Sequence, residues 1–307
     1  MKILVTGGAG FIGSNIVDVL ISKGHDVVVF DILSAGKKEN IHKKAKFYKN
    51  DIFDAKAVNL CFAKEKPQIV IHNAAQIDVR KSVEDPFYDA QINILGSINI
   101  LNACVQNKTK KIIFASSGGT IYGECKTDAP DENAFPNPVS PYGIAKNSVE
   151  NYIKFYSLIY GLEYTILRYA NVYGPRQDAH GEAGVVAIFS SKMLKNENVI
   201  IFGNGKQTRD YVYVFDVVDA NLKALSKGKN QIVNIGTSKL VSVNELVKMM
   251  NKICKYSKKA QYKAKRDGEI FKSFLNVNKA KRVLGWQPQT DIEEGIKQTL
   301  NYFKLKR

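Results

Sequence analysis

Gly7-Gly8-Ala9-Gly10-Phe11-Ile12-Gly13 follows the apolar run at residues 3–6 without a break and leads into a helix-like stretch, and the reading of this junction decides the fold. Gly7, Gly10 and Gly13 make the pattern G-x-x-G-x-x-G. Glycine lets backbone N–H groups approach phosphate oxygens with no Cβ in the way, and the helix that follows adds the positive end of its dipole. A glycine triplet alone is weak evidence. Here strand, turn and helix come in order, and a second strand ends at Asp31, eighteen residues past Gly13, so a dinucleotide site is expected rather than a plain tight turn with a capping Asp. A carboxylate at that strand end accepts hydrogen bonds from an adenosine ribose and repels a 2′-phosphate. NAD is therefore expected over NADP, with Lys37 and Lys38 as the opposing signal.

Beyond the turn, β-branched runs at residues 3–6, 27–31, 69–72 and 111–116 alternate with amphipathic segments, the rhythm of βαβ crossovers. Rich in Val and Ile and lacking alternate polar residues, they read as parallel strands covered by helices on both faces. The expected class is α/β, a doubly wound parallel sheet, with further strands at residues 164–168 and 232–235 and a helix over 244–254. A chain of 307 residues suits one large unit with a smaller lobe. Past Asn171 the pattern loosens around Gly174, Pro175, Gly184, Gly203 and Gly205. Residues 1–170 are thus expected to form the dinucleotide-binding domain, with return segments at about 209–236, and residues 171–307 mainly a C-terminal substrate-binding lobe.

Bulk properties remove other classes. Cys61, Cys104, Cys125 and Cys254 lie too far apart for zinc or redox motifs, so no metal is expected. No apolar run approaches the roughly 20 residues of a membrane span, and the first residues already read as a strand rather than a leader; the expectation is a cytoplasmic protein with no membrane partner. The net charge of +16 comes from lysines spread along the chain, denser at residues 37–49, 252–265 and 279–282 but without regularly interleaved aromatics. This reads as a lysine-rich surface, with no nucleic-acid partner.

Ser140-Pro141-Tyr142-Gly143-Ile144-Ala145-Lys146 reads as a helix start, with Ser140 as N-cap and Pro141 at the first helical position. Tyr142 and Lys146 then lie one turn apart on the same face. A neighbouring ammonium and a helix N-terminus favour the phenolate of a tyrosine whose ordinary pKa is about 10, which makes Tyr142 the expected general base. About 25 residues upstream, Ser116-Ser117-Gly118-Gly119-Thr120 ends a strand at the edge where such sheets bind ligands. Ser117 there either bonds a reacting oxygen or satisfies its own turn. Asp51 and Ile52 either flank the adenine or serve as an N-cap and a buried side chain.

Taken together, these residues resemble the extended short-chain dehydrogenase/reductase family, and most closely its NAD-dependent UDP-sugar 4-epimerases. The similarity runs along nearly the whole chain through His72-Asn73-Ala74-Ala75-Gln76, Val83-Glu84-Asp85-Pro86, Leu167-Arg168-Tyr169-Ala170-Asn171-Val172-Tyr173-Gly174-Pro175-Arg176 and Arg209-Asp210-Tyr211-Val212-Tyr213-Val214. The resemblance implies a Rossmann sheet on which Ala74, Ala75, Gln76, Asn93, Ser116 and Tyr169 join Gly7, Gly10, Phe11, Ile12, Gly13, Asp31, Tyr142 and Lys146 around NAD. It implies that Asn171, Arg209 and Arg266 hold the diphosphate and uridine of a UDP-sugar. Gly184, Val185 and Phe202 would meet the uridine, Glu269 a ribose hydroxyl, and Ser117 the sugar.

The chain departs from the family at its hydroxyl helper. Two glycines precede Thr120, leaving Ser117 and Thr120 as alternatives, and the absent Asp-Glu pair argues against a 4,6-dehydratase. Ser273, seven residues past Arg266, aligns with a position whose bulk limits the group at sugar C2, so space for an N-acetyl group is expected. The implied reaction inverts C4 through a 4-keto sugar and regenerates NAD. Rival readings are a uronic acid epimerase, decarboxylase or reductase of the same family, or a non-catalytic NAD-sensing protein. The family also implies a homodimer built on helices near residues 91–107 and 142–160.

Overall fold

The computed structural model describes residues 1–125, 128–179, 184–266 and 270–306. Seven strands form its main sheet: β1 (Lys2–Thr6), β2 (Asp26–Phe30), β3 (Lys46–Tyr48), β4 (Ile69–His72), β5 (Lys111–Ser117), β6 (Glu163–Tyr169) and β7 (Gln231–Ile235). They lie in the order β7-β6-β5-β4-β1-β2-β3, and every neighbouring pair is parallel. The direction of winding reverses between β1 and β4, which opens a crevice beyond their carboxyl ends, where ligands of such sheets bind.

The Val- and Ile-rich strands are buried on both sides. Ile3 and Val5 of β1 face one core with Ile16, Val17 and Leu20 of the Phe11–Ser22 helix. Leu4 faces the other, with Phe62 of the Ala55–Glu65 helix, Ile100 and Leu101 of Gly96–Gln106, and Val149 and Ile153 of Pro141–Tyr160. Each such aliphatic side chain contributes about 1.5–3 kcal/mol when fully buried.

β3 is not foreseen from the sequence. Lys-Phe-Tyr in a lysine-dense stretch shows no strand periodicity, and it pairs only because it extends the sheet edge beside β2. Lys46 reaches back from this edge to Glu65 at 3.1 Å.

A third core gathers Tyr173, Phe189, Leu246, Met250, Ile296 and Leu300 between the helices Val185–Leu194, Val243–Cys254 and Ile292–Leu305. The Val243–Cys254 helix starts in a capping box, in which Ser242 and Glu245 satisfy each other's backbone amides. Thr208–Arg209 pairs with Lys272–Ser273, and Ile200–Phe202 with Gln261–Lys263, bringing late segments of the chain against the middle ones. Among the described residues no helix is long and apolar enough to cross a membrane, and no group of side chains is arranged to hold a metal ion.

Candidate functional site

The glycine turn is tight because its backbone has no room to spare. Gly7 adopts φ +66°, donates to the Phe30 carbonyl at 2.9 Å, and accepts from the Gly10 amide at 3.1 Å. A Cβ on Gly7 would lie 2.7 Å from the Ala74 nitrogen, so the turn presses directly on the loop after β4. In the helix that follows, the first internal bond runs from Ser14 N–H to the Gly10 carbonyl, and no side chain caps the end. The amides of Phe11, Ile12 and Gly13 therefore have no intrahelical partner, the arrangement that receives an anion. Asp31, 7% exposed, accepts from Ala9 N–H at 2.9 Å through Oδ2 and from Leu33 N–H at 2.7 Å through Oδ1. Its carboxylate is thus fixed at the end of β2, with lone pairs left for a diol.

These groups line a cleft of about 530 Å³. Gly7, Gly10, Phe11, Ile12, Gly13 and Asp31 form one end; Asp51, Ile52, Ala74, Ala75 and Gln76 form the sides; Ser116, Tyr142, Lys146 and Tyr169 lie along it as well. Asn73, not singled out from the sequence, also lines it, with both side-chain polar atoms buried and without a hydrogen-bond partner. Open helix amides, a fixed carboxylate and an unpartnered amide side chain are the donor and acceptor set a dinucleotide requires.

Ser140 caps the Pro141–Tyr160 helix by accepting from Gly143 N–H at 3.2 Å, with Pro141 next to the cap. This helix end differs from that at Phe11, because its first-turn amides are already spent: Pro141 has no N–H, Tyr142 N–H goes to Ser82 Oγ at 3.3 Å and Gly143 N–H to the Ser140 side chain. It holds Tyr142 in place rather than receiving an anion. Lys146 is buried; its Nζ donates to the Ala115 carbonyl at 2.9 Å and stands 4.8 Å from the Phe114 ring centre and 5.6 Å from that of Tyr142.

The expected lowering of the Tyr142 pKa is corrected here. Burial raises it above the ordinary phenol value, and the charge of Asp89 adds to the rise. Burial lowers Lys146 to about 8, against the pull of Asp89 and Glu150. Desolvation sets the direction of the Tyr142 shift, toward the neutral phenol.

Two further placements differ from expectation. Asn93 does not line the cleft: it is buried on the widened helical turn Gln91–Leu95, where Oδ1 accepts from Gln76 N–H at 2.9 Å and Nδ2 donates to the Gln76 carbonyl at 3.0 Å. It shapes the cleft through Gln76. Ser116 borders the cleft, but its hydroxyl donates to Glu150 Oε1 at 2.6 Å, as part of the buried Glu150–Arg168 pair. Sequence reading also missed Ser82 and Asp89, polar residues in an amphipathic stretch whose pattern matches that of an ordinary solvent face.

A second cleft of about 490 Å³ collects Asn171, Gly184, Val185, Phe202, Arg209 and Arg266, together with Lys192. The Arg266 guanidinium lies 3.9 Å from the Phe202 ring centre, and Arg209 Nη1 donates to the Thr208 carbonyl at 2.9 Å. Gly184 borders both clefts, which therefore meet there. Ser117 and Thr120 wall neither. They lie on the segment between: Gly119 faces the Asn171 side chain, Gly143 packs on the Thr120 carbonyl, and Thr120 Oγ1 is buried without a partner. Ser273 is buried opposite Arg209 in the strand register. Glu269 lies outside the described residues.

Residues 3–236 match the model of the NAD dependent epimerase/dehydratase family. A putative UDP-glucose 4-epimerase of Methanocaldococcus jannaschii is 53% identical over 302 residues, 98% of each chain. The crystal structure of UDP-glucose 4-epimerase with UDP-glucose from Thermotoga maritima superposes with a TM-score of 0.98 at 51% identity, covering 100% of this chain and 99% of that one. The UDP-glucose 4-epimerase of Thermus thermophilus in complex with NAD superposes with a TM-score of 0.95 at 41% identity over 99% of both chains.

Proposed function

The chain belongs to the NAD dependent epimerase/dehydratase family, and from that premise we propose how it works: it is an NAD-dependent UDP-sugar 4-epimerase that interconverts UDP-glucose with UDP-galactose and UDP-N-acetylglucosamine with UDP-N-acetylgalactosamine. The observation that carries this reading is the junction at Gly184, where a dinucleotide cleft bearing Tyr142 and Lys146 meets a second cleft bearing Arg209, Arg266 and Phe202.

The open amides of Phe11, Ile12 and Gly13 take the NAD diphosphate, Asp31 the adenosine ribose, and the Asn73–Gln76 loop the cofactor's other flank. When bound, NAD would supply the hydride acceptor and donor for inversion at sugar C4, and its cationic ring would add positive charge to the cleft. With NAD bound, its positive charge and the Lys146 ammonium would favour the Tyr142 phenolate, whose Oη takes the C4 hydroxyl proton to become the phenol and later gives that proton back. Ser117 or Thr120, from the segment between the clefts, hydrogen-bonds the reacting oxygen. Arg209 and Arg266 present guanidinium donors to the UDP diphosphate, and Gly184, Val185 and Phe202 flank the uracil. The small side chain of Ser273 leaves space for the N-acetyl group at C2.

The protein works as a homodimer in this reading. On the Pro141–Tyr160 helix, Ile144, Tyr152, Phe155, Leu158, Ile159 and Tyr160 are exposed, Leu158 by 83%, and a second copy is the natural cover for so apolar a helix face.

Incubating the protein with a panel of UDP-sugars and following C4 stereochemistry by NMR tests the assignment. C4 inversion of both UDP-glucose and UDP-N-acetylglucosamine is expected. Tyr142→Phe should abolish it while nucleotide binding persists. Decarboxylated or reduced products, or normal turnover in Tyr142→Phe, would overturn the reading, and blindness to the acetylated sugar would remove the part assigned to Ser273.

A further inference from the structure

Glu124 directly follows residues 117–123, the segment between the clefts, and the mechanism above gives it no part. Its carboxylate grips two successive backbone amides from a late part of the chain. Oε2 accepts from Phe271 N–H at 2.7 Å and Oε1 from Lys272 N–H at 2.8 Å. The next residue adds a third tie, Cys125 N–H donating to the Lys272 carbonyl at 3.1 Å. Charge-assisted bonds to two neighbouring donors fix direction as well as distance. Close by, Gly118 is pressed on Leu275, where a Cβ would come within 2.6 Å of Cδ1.

The gripped segment also holds Arg209. Lys272–Ser273 pairs in parallel with Thr208–Arg209; Thr208 N–H donates to the Phe271 carbonyl at 2.9 Å, and Asp210 N–H to the Ser273 carbonyl at 3.0 Å. The Arg209 guanidinium itself donates from Nη1 to the Phe271 carbonyl at 3.3 Å. Glu124 and Arg209 therefore meet on one residue, the first at its amide and the second at its carbonyl. Asn171, on the wall of the same cleft as Arg209, is tied in through its own N–H, which donates to the Asp210 carbonyl at 2.9 Å. A guanidinium on a long stem binds a diphosphate more tightly when its orientation is set beforehand, because less rotamer freedom is lost on binding.

Resting on the epimerase reading, we propose that Glu124 is a positioning residue for the substrate: by holding Phe271 and Lys272 against the segment between the clefts, it presets Arg209 for the diphosphate of the UDP-sugar. Glu124 lines neither cleft, so it acts through Phe271 rather than by touching the nucleotide.

Calorimetric titration with UDP, and separately with NAD, tests this in Glu124→Ala and Glu124→Gln. In Glu124→Ala the Kd for UDP should rise on the order of tenfold, the effect of losing one charge-assisted hydrogen bond. Glu124→Gln keeps one acceptor oxygen and should fall between. KM for UDP-glucose should rise in step, while kcat and the Kd for NAD stay near those of the unmodified protein. Because the effect runs through Arg209, Glu124→Ala should weaken UDP binding little further in an Arg209→Ala background. An unchanged Kd for UDP in Glu124→Ala, an effect that adds in full to that of Arg209→Ala, or parallel losses of UDP and NAD affinity would overturn the proposal. Amide hydrogen exchange at Phe271 and Lys272 reads the grip without any ligand: it should quicken in Glu124→Gln, and equal rates refute the idea. Failure of the unmodified protein to bind UDP would instead count against the functional reading, while the exchange rates would still report whether Glu124 holds the segment.

Discussion

Glu150→Gln tests how far a single buried charge supports the floor of the site. Glu150 has no solvent exposure; it accepts from Arg168 Nε at 2.9 Å, Arg168 Nη2 at 2.6 Å and Ser116 Oγ at 2.6 Å, and Arg168 Nη1 donates in turn to Tyr122 Oη at 2.7 Å. Glutamine keeps the volume but removes the counter-charge and turns an NH₂ group toward the guanidinium. Removing one partner of a buried pair costs about 3–5 kcal/mol, because the other charge is left uncompensated. Unfolding 307 residues carries an entropy of about 0.6 kcal/mol/K at about 2.1 cal/mol/K per residue, so Tm should fall by about 5–8 °C. Calorimetry and urea unfolding at fixed protein concentration read this directly. The double variant Glu150→Leu, Arg168→Met should recover most of the loss, since well-packed apolar replacements of a buried pair are often neutral. A loss below about 1 kcal/mol in Glu150→Gln, or a double variant no better than the single, would refute the reasoning.

Gly13→Ala places a Cβ 2.9 Å from the Gly7 carbonyl carbon and 3.0 Å from Gly8 Cα, so the turn must open; overpacking of about 1–3 kcal/mol predicts a loss of NAD affinity of about tenfold or more, and an unchanged Kd by calorimetry would sink the phosphate-turn assignment. Burial, with the Lys146 charge second, lowers His72 from its ordinary 6.5 to about 3. Between those values the unfolded chain binds a proton that the folded one refuses, so this contribution is intact above pH 6.5 and falls as the pH drops, by up to about 1.4 kcal/mol per unit. Urea midpoints measured against pH should slope less steeply in His72→Asn, and equal slopes would show that another group governs acid stability.

What was legible in the sequence was local. Gly7 through Gly13, Asp31 at a strand end, and Ser140-Pro141 before Tyr142 each fix backbone geometry within a few residues. The Lys46–Tyr48 strand escaped because three edge residues carry no periodicity. Asp89, Ser82 and Asn73 escaped because a buried polar residue is recognised only by what surrounds it. The direction of the Tyr142 shift was misjudged for the same reason: spacing reveals Lys146, but neither the depth of burial nor the Asp89 carboxylate arriving from another helix. Asn93 was placed at the wall when it stands one layer behind, a distinction of a few ångströms that no linear pattern encodes.

The three amides of Phe11, Ile12 and Gly13 that no intrahelical carbonyl accepts have a thermodynamic consequence. Any dinucleotide that fills them binds the native chain and not the unfolded one, so mass action adds about 2.7 kcal/mol to native stability when free ligand stands at a hundred times its Kd. Where NAD is plentiful, part of this enzyme's resistance to unfolding therefore resides in its cofactor supply, and depletion of that supply thins the folded population before any residue has changed.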